Sequence, residues 1–122
     1  MQKDRALFLY GFDIDYTNKY VNFKTSAMGA VKTAVLNIGN YTATGLMAEL
    51  KRAMEYVDGS NTYTWSIDRT VSSGLSNRVH VSTSGSYLSI LFQSGVNAAN
   101  SPASIIGFSA FDYTGATSYV GY

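Results

Sequence analysis

The side chains that could carry out chemistry are few in this sequence, and they lie far apart. His80 is the single histidine, and Asp13 and Asp15 are the only closely spaced acidic pair outside a helical segment. His80 stands between Val79 and Val81, so the two-residue period of a strand sends it to the opposite, polar face. A Ser–His–Asp triad has no support either, because the chain lacks the Gly-x-Ser-x-Gly turn that presents a nucleophile. We therefore predict no catalytic residue.

Metal and cofactor sites are not expected from the residue types. The chain has no cysteine and one histidine, which excludes a structural zinc site of the usual kind. On one strand face, Asp13 and Asp15 would lie about 6.5–7 Å apart at the backbone and offer oxygen ligands to a divalent cation. Such sites normally use more than two carboxylates, so a solvated strand face is favoured. For these reasons we predict no metal. No phosphate-binding glycine motif occurs either, so we predict no nucleotide cofactor.

The composition favours association through a neutral, aromatic surface. Charged residues make up 14% of the 122 residues, against about a quarter in ordinary soluble domains. The polar residues are mainly 15 Ser, 11 Thr and 8 Asn, beside 10 Tyr and 6 Phe. Near-neutral surfaces tend to associate, and tyrosine is enriched at protein interfaces. We expect a homo-oligomer.

Several partner classes are disfavoured by the same numbers. A net charge of +1 does not suit binding to duplex nucleic acid, which needs clustered cations. No stretch approaches the roughly 20 apolar residues of a membrane span, and no basic and apolar leader of the secretory type opens the chain. We expect neither a nucleic-acid partner nor a membrane partner.

The elements that would position these side chains are mainly short strands. Alternating apolar residues predict six strands, with a hairpin through residues 17–19 and a meander formed by the last three. These strands fall near residues 12–16, 20–24, 31–38, 62–68, 78–82 and 87–92. A Pro102 start and a Gly107 stop predict a second, short helix after Ser101.

One amphipathic helix is predicted from about Gly45 to Asp58, with Thr44 as its N-cap and Gly59 just past its end. Its apolar stripe comprises Leu46, Met47, Leu50, Ala53, Met54 and Val57. The polar side carries two ordinary ion pairs at helical spacing, Glu49 with Arg52 and Lys51 with Glu55. Burial of the stripe would contribute on the order of 10 kcal/mol, so the helix must pack on a sheet.

The predicted fold class is therefore α+β. We expect an antiparallel sheet of five or six strands, with the amphipathic helix packed on one face and a second short helix near the C-terminus. Residues 1–122 are expected to form one domain. Within it, residues 1–16 are a candidate docking arm, and residues 109–122 form an ordered aromatic tail.

Five segments together resemble a module of structural proteins from tailed bacteriophages, many of them described only as hypothetical virion or tail proteins. They are Tyr20–Phe23, Ala34–Leu46, Tyr63–Ile67, Ile106–Phe108 and Asp112–Tyr119. The most specific part is the ordered combination of Gly39-Asn-Tyr41, the Leu46–Met54 helix and the ending that runs from Gly107-Phe108 to Tyr119. The resemblance covers about Tyr20 to Tyr119 and implies a scaffold in a virion, with no catalytic residue.

The function expected from composition and resemblance is a non-enzymatic virion component of a tail, baseplate or head–tail connector. Its partners would be copies of itself and other virion proteins, joined by sheet edges and aromatic contacts. The candidate interface residues are Tyr10, Tyr16, Tyr20, Phe111, Tyr113, Tyr119 and Tyr122. Two alternatives stay open, a capsid decoration protein and a receptor- or glycan-binding module that uses exposed aromatic rings.

Overall fold

The computed structural model describes residues 12–68 and 78–121, and within them the chain is α+β as predicted. These described residues contain nine short strands, one α-helix and two 3₁₀ helices. In chain order these are β1 (Phe12–Ile14), β2 (Tyr20–Lys24), β3 (Lys32–Val35), β4 (Gly39–Tyr41), α1 (Ala43–Val57), β5 (Tyr63–Asp68), β6 (Arg78–Thr83), β7 (Leu88–Leu91), the 3₁₀ helices Ala98–Asn100 and Ala103–Ile106, β8 (Asp112–Ala116) and β9 (Ser118–Val120).

The strands form three small antiparallel sheets, so the prediction of one five- or six-stranded sheet is wrong. Their orders are β1–β4, β3–β2–β7–β8 and β5–β6–β9. The predicted meander fails between β6 and β7, because the turn at residues 84–87 does not bring these two strands side by side. Instead, β6 pairs with β5 and β9, whereas β7 pairs with β2 and β8.

The predicted aromatic tail supplies two of the strands. The strands β8 and β9 are separated by Thr117 alone, and they pair with β7 and β6 respectively. Between them, the backbone N–H of Thr83 donates to the carbonyl of Thr117 at 3.1 Å. The segment 112–120 therefore runs along both larger sheets and forms one edge of each.

The predicted hairpin between β1 and β2 is also wrong, since β1 pairs with β4. In the connecting loop, the Asp15 carboxylate accepts the backbone N–H of Thr17, and the Asn18 side chain accepts that of Asp15, both at 2.8 Å. The loop is thus held by side-chain hydrogen bonds, and not by the backbone ladder between β1 and β2 that a hairpin would have. Within the predicted docking arm, Phe12 and Ile14 are buried in the core, while residues 1–11 lie outside the described residues.

The amphipathic helix is confirmed, but it begins earlier than its pattern suggested. Thr42 is the N-cap, and its hydroxyl accepts the backbone N–H of Gly45 at 3.0 Å, in the role predicted for Thr44. Gly59 follows the helix with a φ of 76°, as expected of a glycine at this position. The apolar stripe is buried except for the half-buried Val57, and the helix packs mainly against β3 and β5.

The second short helix is not α-helical. Two 3₁₀ helices stand in its place, a three-residue one at Ala98–Asn100 and a four-residue one at Ala103–Ile106. Ser101, between them, has an extended backbone. Gly107, with a φ of 83°, ends it by donating its N–H to the Ala103 carbonyl. This turn returns Phe108 to the core, where its ring packs against Phe92 and Tyr113.

Candidate functional site

The residues considered for chemistry take part in ordinary structural contacts. His80 pairs with Ser66 across β5 and β6 and is half-buried. Asp13 is exposed and accepts a hydrogen bond from the Asn40 amide, while Asp15 lies beyond the end of β1. The hydrogen bond from the Thr17 hydroxyl lowers the pKa of Asp15. Within residues 12–68 and 78–121, no group of three or more His, Cys, Asp or Glu side chains could hold a metal ion.

The helix α1 lies between two sheet edges and supplies polar side chains to both. Next to β5, the Glu55 carboxylate accepts the backbone N–H of Tyr63 at 3.0 Å, and the Lys51 ammonium donates to the carbonyl of the same residue at 3.2 Å. The hydrogen bond from Lys51 is the main reason that the pKa of Glu55 is lowered. This end of the β5 edge is therefore occupied by the helix.

A second pair on α1 serves the chain leaving β3. Arg52 donates to the carbonyl of Val35 at 3.3 Å, and the Glu49 carboxylate accepts the backbone N–H of Asn37 at 2.8 Å. The hydrogen bond from Arg52 lowers the pKa of the nearly buried Glu49 carboxyl group. The two predicted ion pairs are confirmed. Sequence reasoning missed their second role, because spacing along a helix does not show which backbone groups lie opposite.

Among the described strands, β9 has a neighbour on one side only, and the orientation of its backbone groups follows from the register. Gly121 donates its N–H to the Val79 carbonyl at 2.8 Å, and Thr117 accepts from Thr83, so residues 117, 119 and 121 face β6. Because alternate residues of a strand face opposite sides, the N–H and C=O of Ser118 and Val120 point away from the sheet. From residue 113 to 121 the sequence contains neither a charged residue nor a proline.

Two of the predicted interface residues are well exposed in the described part of the chain. Tyr16 is 75% exposed, and Phe111, directly before β8, is 61% exposed. Tyr20 is half-buried, and the Lys19 ammonium lies over both the Tyr16 and Tyr20 rings, 4.8 and 5.2 Å from their centroids. Exposed Tyr56 and Val120 were not among the predicted residues, since helical position and strand alternation alone do not indicate an interface.

The remaining interface candidates are placed differently. Tyr113 and Tyr119 are half-buried against the core, with ring centroids 5.7 Å apart. The Tyr119 hydroxyl donates to the carbonyl of Leu88 at 2.6 Å, where the register of the β7–β8 ladder shifts between Leu88 and Ile90. These two rings already have structural contacts within the subunit. Tyr10 and Tyr122 lie outside the described residues.

An apolar groove runs between α1 and β5, with a volume of about 400 Å³. Its lining includes Thr44, Met47, Ala48 and Lys51 from the helix and Trp65 and Ile67 from the strand. Met47 belongs to the predicted apolar stripe of the helix and Trp65 to the predicted apolar face of its strand, but these patterns do not indicate open space between the two elements. The groove suits an apolar side chain or an extended segment.

Within the described ranges, no helix has the length and apolar character needed to cross a bilayer. Comparison with known proteins adds no assignment to this geometry. A scan against protein-family models finds no match to this chain, and a search of curated proteins finds none either.

Proposed function

We propose that this chain is a non-enzymatic structural subunit that assembles with copies of itself and with other virion proteins in a tailed bacteriophage. The proposed location is the tail, the baseplate or the head–tail connector. The observation that carries the assembly role is the outer edge of β8 and β9, where Ser118 and Val120 present backbone groups away from the sheet. The virion setting rests on the sequence resemblance.

The composition of this edge supports pairing with another chain. Soluble proteins usually protect sheet edges with lysine, proline, strong bulges or a covering element. Here the segment from residue 113 to 121 is neutral, and residues 114–118 are small and exposed. The β8 part carries one irregularity, at Gly115 with a φ of 93°, so β9 is the more regular pairing surface.

Exposed apolar side chains, one of them aromatic, supply the apolar part of the proposed interface. Phe111 lies at the start of the edge with 61% of its surface exposed, and Val120 lies at the far end with 42% exposed. Aromatic anchors flanked by small polar residues are typical of protein interfaces. Together with the low charge of the chain, these side chains favour association over a solitary monomer.

The test uses one added charge on the edge and the same charge elsewhere. Ser118→Lys places an ammonium on the β9 edge, whereas Ser60→Lys adds the same charge at an exposed position after α1. Sedimentation velocity over a range of concentrations should show that the full-length chain forms oligomers. Ser118→Lys should lower their mean mass while Ser60→Lys leaves it unchanged, and circular dichroism should show both variants folded.

Two results would oppose the proposal. A wild-type chain that stays monomeric at all concentrations would remove the assembly role, and an oligomer insensitive to Ser118→Lys would remove this edge. Labelling of purified phage particles with an antibody to the chain tests the setting. Label on the capsid surface would instead identify a decoration protein, and specific binding on a glycan array by a monomer would identify a receptor- or glycan-binding module.

A further inference from the structure

We propose that the groove between α1 and β5 binds the N-terminal segment Ala6–Tyr10 of a neighbouring copy, which adds to β5 as a further strand. The proposal deepens the assembly role above and rests on it. It assigns a second contact between subunits, separate from the β8–β9 edge, with the segment as donor and the groove as acceptor.

The backbone of β5 is oriented to accept such a strand. The N–H and C=O of Tyr63 face α1, because they bond to Glu55 and Lys51 there. Backbone direction alternates along a strand, so the N–H and C=O of Trp65 and Ile67 point to the same side. In the described sheet, β5 is an edge strand with β6 as its neighbour. The helix thus occupies the edge of β5 at Tyr63. It leaves room for another strand beside Trp65 and Ile67, whose backbone groups point to the same side.

The groove matches an apolar segment in chemistry. Met47 and Trp65 contribute to its lining with only 5% and 6% of their surfaces exposed, and Lys51, its charged member, already pairs with Glu55. A charged or strongly polar occupant would lose hydration there without a partner. The segment Ala6-Leu-Phe-Leu-Tyr10 is a short run without charge, preceded by Lys3, Asp4 and Arg5.

The segment is long enough to reach another subunit. Eleven residues precede Phe12, which corresponds to about 36 Å of extended chain. Phe12 pairs with Tyr41, next to the Thr42 N-cap, so the residue that the segment leads into lies near the start of α1. The part of α1 that lines the groove, from Thr44 to Lys51, is only about 10 Å long at 1.5 Å per residue.

Strand direction favours a neighbouring copy as the donor. Tyr63 bonds to Lys51 at one end of the groove, and β5 runs on from there to Ile67, which also lines the groove. If the bound segment belonged to the same chain, it would have to continue into Phe12 near the helix start. It would then run from the Lys51 end of the groove to the Thr44 end, parallel to β5. Every ladder in the described residues is antiparallel, and antiparallel pairing is slightly more stable. A segment from another copy can enter in the antiparallel direction.

The experiment separates donor from acceptor in full-length chains that also carry Ser118→Lys, so that pairing of the β9 edge does not contribute. The donor-defective variant is Phe8→Lys with Leu9→Lys, and the acceptor-defective variant is Ala48→Arg, at an exposed position of the groove. Ala27→Arg, at an exposed loop position, is the matched control. Neither defective variant should self-associate through the groove, but an equimolar mixture should form a 1:1 pair in sedimentation velocity.

A direct binding measurement uses Trp65, the single tryptophan, as the reporter. A synthetic peptide of residues 3–11 should change its fluorescence saturably in the donor-defective variant, and Ala48→Arg in that same chain should abolish the change. A peptide carrying both lysine substitutions should have no effect. If the peptide causes no change in Trp65 fluorescence, the groove is not the acceptor. If the peptide binds but the mixture of variants forms no 1:1 pair, the donor is not a neighbouring copy. Either failure leaves the proposed function standing if Ser118→Lys alone still lowers the oligomer mass.

Discussion

The carboxylate of Glu49 accepts a hydrogen bond from the backbone N–H of Asn37 at 2.8 Å and thereby ties α1 to the chain leaving β3. Glu55, six residues further along the helix, makes the corresponding bond to the backbone N–H of Tyr63 at the other sheet, at 3.0 Å. Pairing of these backbone groups with another chain would require the helix side chains to move. The helix therefore helps to decide which edges stay available, and it leaves β9 and the groove end of β5 open.

Stability should depend on the ionisation of Glu49. Arg52 lowers its pKa below the ordinary 4.5, so its contribution is fully present above that pH and is lost as the pH falls through the folded-state value. Glu49→Gln should cost about 1.5 kcal/mol near pH 7. Urea unfolding of wild type and variant should show this difference shrinking below about pH 4.5. The other carboxylates contribute equally to the stability of wild type and variant. A difference in the free energy of unfolding that stays constant with pH would therefore contradict the role of the Glu49 carboxylate.

A buried amide joins β2 to the segment before the first 3₁₀ helix. The Asn22 side chain donates to the Thr33 hydroxyl at 3.0 Å and accepts the backbone N–H of Asn97 at 2.8 Å. Asn22→Ala would leave that N–H without its partner, at a cost of about 2–3 kcal/mol in the free energy of unfolding. The matched change Asn100→Ala removes only a longer bond, of 3.3 Å, to the Thr17 carbonyl. Denaturant unfolding with equal losses in both variants would contradict this ranking.

The fold could be predicted from the sequence as far as local patterns extend. Alternation located β2, β5, β6 and β7, and the helical stripe located α1, because each burial pattern is contained in the segment itself. Strand partners depend on contacts far apart in sequence. Nothing in the β1 sequence distinguishes β4 from β2 as its neighbour, and nothing in residues 84–87 shows that the turn separates β6 from β7.

The surfaces were predictable in composition but not in position. The aromatic content indicated an interface, yet alternation cannot tell an exposed ring from one that packs on a sheet end. Tyr16 is open to solvent, whereas the Tyr119 hydroxyl bonds to the Leu88 carbonyl inside the subunit. The groove could not be foreseen, since it depends on the spacing between α1 and β5.

The N-cap of α1 can be tested by paired threonine variants. Thr42 accepts the backbone N–H of Gly45 through its hydroxyl, so Thr42→Ala should destabilise the fold by about 1 kcal/mol. Thr44 is exposed inside the first turn, and alanine has the higher helix propensity, so Thr44→Ala should be neutral or slightly stabilising. Thermal unfolding followed by circular dichroism compares the two. If Thr44→Ala lost more stability than Thr42→Ala, the N-cap would be Thr44, as predicted from the sequence.

The candidate interface residues should separate into two groups when stability and assembly are measured together. Tyr119→Phe removes the hydroxyl that bonds to Leu88 at 2.6 Å and should cost about 1–2 kcal/mol of stability without changing oligomer mass. Phe111→Ser removes an exposed ring beside the β8 edge, so it should leave stability within about 0.5 kcal/mol and reduce oligomer mass. Urea unfolding and sedimentation velocity on the same samples provide the two readouts. If Tyr119→Phe lowered oligomer mass at unchanged stability, its hydroxyl would belong to the subunit interface, and if Phe111→Ser destabilised the monomer instead, the exposed ring would be part of the core.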